Sequence, residues 1–152
     1  MEFGLSEHSV LKSMSGMEFF EAIVSGRLAH PPMAEVMGMR LMHAEYGLIR
    51  WEAQVPENVL NPMGTVHGGF ALTILDSALA CSVHSCVERG QCATTIEVKA
   101  NLTRPVPAGG KVTCEGRMVT LGKRVGTSEA KLYDANDKVL GFGTSSIMIF
   151  DL

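Results

Sequence analysis

Basic residues are not in excess in this chain: 13 Lys and Arg face 16 Asp and Glu, for a net charge of -3. A nucleic-acid binder would show a basic surplus or stripe, so that class is excluded. Long apolar runs are also missing, the longest falling far short of the roughly 20 residues a membrane-spanning helix needs. The opening MEFGLSEHSVLKS has no basic segment leading into an apolar one, so no secretory signal is expected. Cysteine is sparse. Cys81, Cys86 and Cys92 crowd one stretch, Cys114 stands apart, and no framework spacing links them, so reduced thiols are expected. Charged residues make up only 19% against 46% hydrophobic, which excludes a disordered chain. At 152 residues, one domain spanning 1–152 is expected, with residues 1–40 as a helical lead-in. These absences together predict a soluble, cytoplasmic protein.

Residues 15–26 (SGMEFFEAIVSG) predict a short helix between a serine cap and a glycine stop. Pro31-Pro32 forces extended chain, and 34–38 adds a helical turn. From Gly47 the period becomes two: Ile49, Trp51, Ala53 and Val55 alternate with Arg50, Glu52 and Gln54, a half-buried strand. The Pro-, Gly- and Asn-rich segment 56–69 is a loop. It feeds an unbroken run to Gly90 whose apolar members (Phe70, Leu72, Ile74, Leu75, Leu79, Val83, Val87) cover most of a helix circumference. Period two then returns in four antiparallel strands, the last two joined through the turn DANDK. The simplest packing is α+β, one long helix wrapped by an antiparallel sheet. Such a sheet leaves the other face of the helix bare, which predicts a homodimer or larger assembly.

Two features inside that helix carry chemistry. Asp76 lies among apolar neighbours, where an ionised carboxylate is costly unless paired or open to a cleft. Taken alone it reads as a structural residue bonded to a neighbouring hydroxyl or to a partner-chain group. Gly68 and Gly69 stand where first-turn N–H groups are unpaired, a place that favours developing negative charge. Taken alone a His-Gly-Gly string is a tight turn.

Together, Asn61-Pro-Met-Gly64-Thr-Val-His67-Gly68-Gly69 followed by Leu75-Asp76 resembles the signature of hotdog-fold acyl-CoA thioesterases, more narrowly the phenylacetate-degradation type. The resemblance runs from the helix at 15–26 through 94–109 to the terminal hairpin, nearly the whole chain. It implies a hotdog fold, hydrolysis of an acyl-CoA thioester to free acid and coenzyme A, and no metal or bound cofactor. It also implies active sites at a dimer interface, in a dimer or a dimer of dimers. Residue by residue, it makes Asp76 the nucleophile or general base and Gly68 the N–H donor to the thioester carbonyl. Asn61 becomes the loop amide that helps hold the carbonyl or the attacking water. His67 becomes the residue that orients the loop, and Thr95 a hydroxyl that positions water.

Helix geometry bears on the same site. Gly69 and Asp76 share a helix face but stand about 10 Å apart along the axis, too far to serve one carbonyl. Pairing the helix start of one protomer with Asp76 of the other removes the difficulty. Gly69, Arg104, Lys123 and Arg124 are candidates for substrate binding, the three cations towards coenzyme A phosphates. His84, Cys81 and Cys86 have neither the spacing nor the order of a zinc motif and read as core residues. Two other uses of the scaffold are a non-catalytic acyl-CoA-binding or regulatory module and a dehydratase or hydratase. Asn61, Gly68 and Asp76 occurring together argue against both.

Overall fold

The computed structural model describes residues 1–152 and places five of its six strands where the period-two segments lie. Three short helices open the chain: α1 (His8–Ser13), α2 (Gly16–Val24) and α3 (Pro32–Val36). Strands β1 (Met39–Glu45) and β2 (Leu48–Gln54) follow, then the long helix α4 (Gly68–His84). The chain finishes with β3 (Gln91–Leu102), β4 (Lys111–Leu121), β5 (Val125–Asp134) and β6 (Val139–Asp151). All six strands form one antiparallel sheet in the order β1-β2-β4-β5-β6-β3.

Alternate residues point at the helix. Ile49, Trp51 and Ala53 of β2, Val112 and Cys114 of β4, Ala130 and Leu132 of β5, and Ile147 of β6 are all buried against α4 or its neighbours. The opposite face is polar. Glu52 bridges Arg40 (3.0 Å) and Lys111 (2.6 Å), and Glu115 bridges Arg50 (2.6 Å) and Arg117 (2.8 Å). One face packed and one face wet is the expected state of an antiparallel sheet.

Helix and sheet approach closely because the sheet carries small residues under the helix. A Cβ on Gly116 would drive into the Ala78 carbonyl, and one on Gly126 would sit 2.6 Å from a Val83 methyl. The lead-in closes the other flank. Ser15 and Glu18 make a reciprocal capping box at α2, and Phe20 and Ile23 are buried. His30 accepts the Leu41 N–H at 3.0 Å and pairs by its own backbone with Glu2 and Gly4.

The structure corrects two expectations. The sheet has a sixth strand, β1, where sequence periodicity shows none. A bulge between Leu41 and His43 shifts the register there and breaks the alternation. The long helix stops at His84 and does not reach Gly90. Ser82 and Ser85 hydroxyls donate to the carbonyls of Leu79 and Ser82, and Ser85 Oγ also accepts the Gly47 N–H. Such side-chain bonds compete with helix continuation.

Candidate active site

The loop before α4 is built by its own side chains. Asn61 Oδ1 accepts the N–H groups of Met63 (3.0 Å) and Thr65 (3.2 Å), while its Nδ2 donates to Thr65 Oγ1 (2.8 Å). Both acceptor positions of the amide are therefore used, and one Nδ2 hydrogen is left to face outward. His67 is the N-cap of α4, and its Nδ1 accepts the Gly69 N–H at 2.8 Å. That bond requires the Nδ1 lone pair, so the neutral ring carries its proton on Nε2.

This cap corrects the reading of the glycine pair. The N–H of Gly69 is engaged by His67, whereas the N–H of Gly68 has no partner within the chain. The Gly68 N–H is thus a free donor at the head of the helix, its positive end.

Asp76 lies two turns along α4, half-buried, and accepts a 2.7 Å hydrogen bond from Thr95 Oγ1 at Oδ1. Thr95 sits on β3 just before a register shift between Thr95 and Glu97. Oδ2 receives no hydrogen bond from the chain. Around Asp76 the helix is open: Leu72 is 43% exposed, and Thr73, Ser77 and Ala80 are half-buried. Gly68 and Asp76, eight residues apart on α4, are separated by about 12 Å of helix axis.

The basic candidates divide. Arg104 borders a groove at the helix start with Thr65, His67, Gly68 and Leu102, its guanidinium donating to the Val139 carbonyl at 2.7 Å. Lys123 and Arg124 lie exposed in the β4–β5 turn, where the Arg124 carbonyl accepts the Ile149 N–H. That turn adjoins Gly126, which packs under Val83. Within one chain it therefore stands at the opposite end of α4 from Gly68.

One feature has no sequence signal. A pocket of about 250 Å³ opens between α4, β2 and the lead-in, with Phe19, Phe20, Trp51, Cys81 and His84 in its wall. The His84 ring stacks on Phe19 (5.8 Å, 12°) and meets Phe20 edge-on (5.3 Å, 76°). Burial pulls the His84 imidazole down to about 4 and pushes the Cys81 thiol up to about 12, so both are neutral at pH 7. Trp51 Nε1 is buried with no hydrogen-bond partner.

Known proteins resemble this chain in sequence and fold. A model of the thioesterase superfamily matches residues 63–140, slightly over half of the chain. The proofreading thioesterase EntH of Klebsiella pneumoniae is 30% identical over 67% of this chain and 74% of its own length. Human acyl-coenzyme A thioesterase 13 is 24% identical over 91% of this chain and 90% of its own. The crystal structure of a phenylacetic acid degradation-related protein from Ralstonia eutropha superposes with a TM-score of 0.78 at 23% identity, covering 86% of this chain and 98% of that one. With the helix-in-sheet architecture and the matched segment running from the loop before α4 into β6, the chain belongs to the thioesterase superfamily as a hotdog-fold thioester hydrolase.

Proposed function

We propose that the protein hydrolyses acyl-CoA thioesters at sites shared between two protomers, with Asp76 as the acting carboxylate. The observation that carries this reading is Asp76 itself, a carboxylate on the open face of an apolar helix, held by Thr95 through one oxygen only. Its free Oδ2 acts on the thioester carbon directly or takes a proton from a water that then adds to it. The oxyanion so formed receives the free Gly68 N–H. Collapse breaks the C–S bond. On the water route the proton taken by Asp76 passes to the departing thiolate; on the direct route a water then hydrolyses the Asp76 acyl anhydride, one of its protons going to the thiolate. Arg104, Lys123 and Arg124 anchor coenzyme A phosphates, and Asn61 and His67 keep the loop and the Gly68 donor in place. A dimer joined along the β3 edge covers the open face of α4 and brings Gly68 of one protomer to Asp76 of the other. Four free thiols suit a reducing compartment, the cytoplasm, and no helix is long and apolar enough to cross a membrane.

Asp76→Ala tests the reading. A folded variant should release thiol at least about a hundredfold more slowly, the low end for a positioned acid or base. Near-normal turnover by a protein with native circular dichroism would overturn the assignment. Alanine at Lys123 or Arg124 should raise KM and spare kcat.

A further inference from the structure

We infer that Glu97 and Ser145 are positioning residues for the reaction: together they fasten the bulge at Ile96 that turns Thr95, in place of Ile96, towards Asp76. The inference rests on the reading of Asp76 as the acting carboxylate. Neither residue hydrogen-bonds to Asp76, so each acts through Thr95.

The amino-acid pattern of β3 favours a different orientation. Val98 and Ala100 pack against the core, opposite Ser145 and Gly143 of β6. Side chains alternate along a strand, so an unbroken ladder would continue that face back to Ile96 and send Thr95 to the outer face. An apolar side chain would then take the place of the hydroxyl beside Asp76. Starting from the other end gives the opposite conflict. Ala93 and Thr95 lie opposite the buried Ile149 and Ile147, and an unbroken strand from there would drive Glu97 and Lys99 into the core. One extra residue resolves both. Thr95 pairs with Ile147 and Glu97 with Ser146, which leaves Ile96 unpaired and 56% exposed. Thr95 Oγ1 is thereby free to donate to Asp76 Oδ1 at 2.7 Å.

Burial alone would favour Ile96 on the helix side, so the bulge needs fastening. Two bonds supply it. Glu97 Oε1 accepts the backbone N–H of Ser146 at 3.0 Å. The hydroxyl of Ser145, 2% exposed, donates to the Glu97 carbonyl at 2.6 Å. Both grip the residue that follows the extra one, the first by its side chain and the second by its backbone. A slip of one residue would break both, because Glu97 would no longer stand opposite Ser146. Bulges beside active sites re-aim side chains in this way.

Thiol release is followed with an acyl-CoA ester that the wild type hydrolyses, in Thr95→Val, Glu97→Ala, Glu97→Gln and Ser145→Ala. Thr95→Val sets the scale: loss of one hydrogen bond to a charged group should lower kcat about tenfold. Glu97→Ala and Ser145→Ala should each lower kcat by about threefold to tenfold, with KM unchanged. Glu97→Gln, whose amide oxygen can still accept the Ser146 N–H, should keep the wild-type kcat. Combining Glu97→Ala with Thr95→Val should cost no more than Thr95→Val alone, since both act through one contact. A wild-type kcat in Thr95→Val or Glu97→Ala, an additive double variant, or a Glu97→Gln as slow as Glu97→Ala would overturn the inference. Glu97 is exposed, so its alanine variant should fold, and a crystal structure of that variant reads the bulge without turnover. Thr95 Oγ1 should have turned away from Asp76; an intact bond between them would overturn the inference. A wild type that hydrolyses no ester would count against the thioesterase reading alone, and the crystal structure would still decide whether Glu97 aims Thr95.

Discussion

His67 touches no apolar core, yet it holds two things in register, the loop before it and the helix after it. Its Nδ1 caps Gly69, and an N-cap of this kind contributes about 1 kcal/mol. His67→Ala should lower unfolding stability by that amount in urea titration, and His67→Asn, whose side chain can also cap, should restore most of it. His84 is governed by burial instead. Its folded pKa of about 4 lies below the unfolded value of 6.5, so between those limits the unfolded chain binds more protons. Its contribution is therefore fully present above pH 6.5 and is lost as pH falls towards 4, up to about 3 kcal/mol in total. Melting temperatures measured from pH 7 down to 4.5 should fall, and His84→Gln should flatten the slope; an equal slope in the variant would sink the assignment. At this scale the sequence exposes residue types more readily than their partners. Asp76 stands out as a carboxylate in an apolar run, and Gly68-Gly69 as a helix head. That His67 would occupy one of the two glycine N–H groups is a matter of ring rotation, invisible in spacing. That Thr95 faces Asp76 depends on the register of β3 beside a bulge, and the unmet Trp51 N–H depends on what packs around it.

Periodicity reveals elements when they obey one period throughout. β2 and α4 do so, and both are legible. β1 does not, because its bulge puts Met42 and His43 out of phase. The end of α4 is set by serine hydroxyls that a hydropathy pattern counts as neutral. Contact between elements is governed by small residues, and here a sharp test exists. Gly116 lies beneath the Ala78 carbonyl with no room for a methyl group. Gly116→Ala must push α4 off the sheet, and overpacking of this kind costs about 1–3 kcal/mol or more. Chemical denaturation should register that loss, and activity should fall with it because Asp76 rides on the displaced helix. A neutral Gly116→Ala would mean that the helix can slide without cost.

For the whole molecule, the open features converge on one side. β3 is a sheet edge of 12 residues with Ile96 56% exposed, and the open strip of α4 lies next to it. Natural proteins seldom leave so long an edge unprotected. The shared-site reading makes a quantitative forecast. Asn61→Ala disrupts the helix-start half of a site and Asp76→Ala the carboxylate half. Co-refolded in equal amounts, half of the dimers are mixed, and each mixed dimer holds one intact site, so about a quarter of wild-type sites should return. Sites confined to single chains would give no recovery once mass spectrometry has confirmed mixing. The wrapping of one long helix by an antiparallel sheet is legible from the element order, and the hotdog fold from the resemblance carried by Asn61 to Asp76. The pairing of β3 beside β6 is not, since strand neighbours distant in sequence leave no local trace.

The glycines beneath α4 have a further consequence for how such a molecule can change. With Gly116 and Gly126 locking helix to sheet, those two layers behave as one casting, and mutations there are punished by collision. The lead-in is cast into the same block, since a Cβ on Gly16 would run into the His84 carbonyl oxygen and the Gly16 N–H donates to the Val87 carbonyl at 3.0 Å. The fold is thus a single chassis that keeps Asp76 and the helix head in place, and only outlying residues such as Leu5, 88% exposed, stand clear of it. Exchanging the whole lead-in for another should therefore unseat the end of α4 rather than leave the reaction running as before.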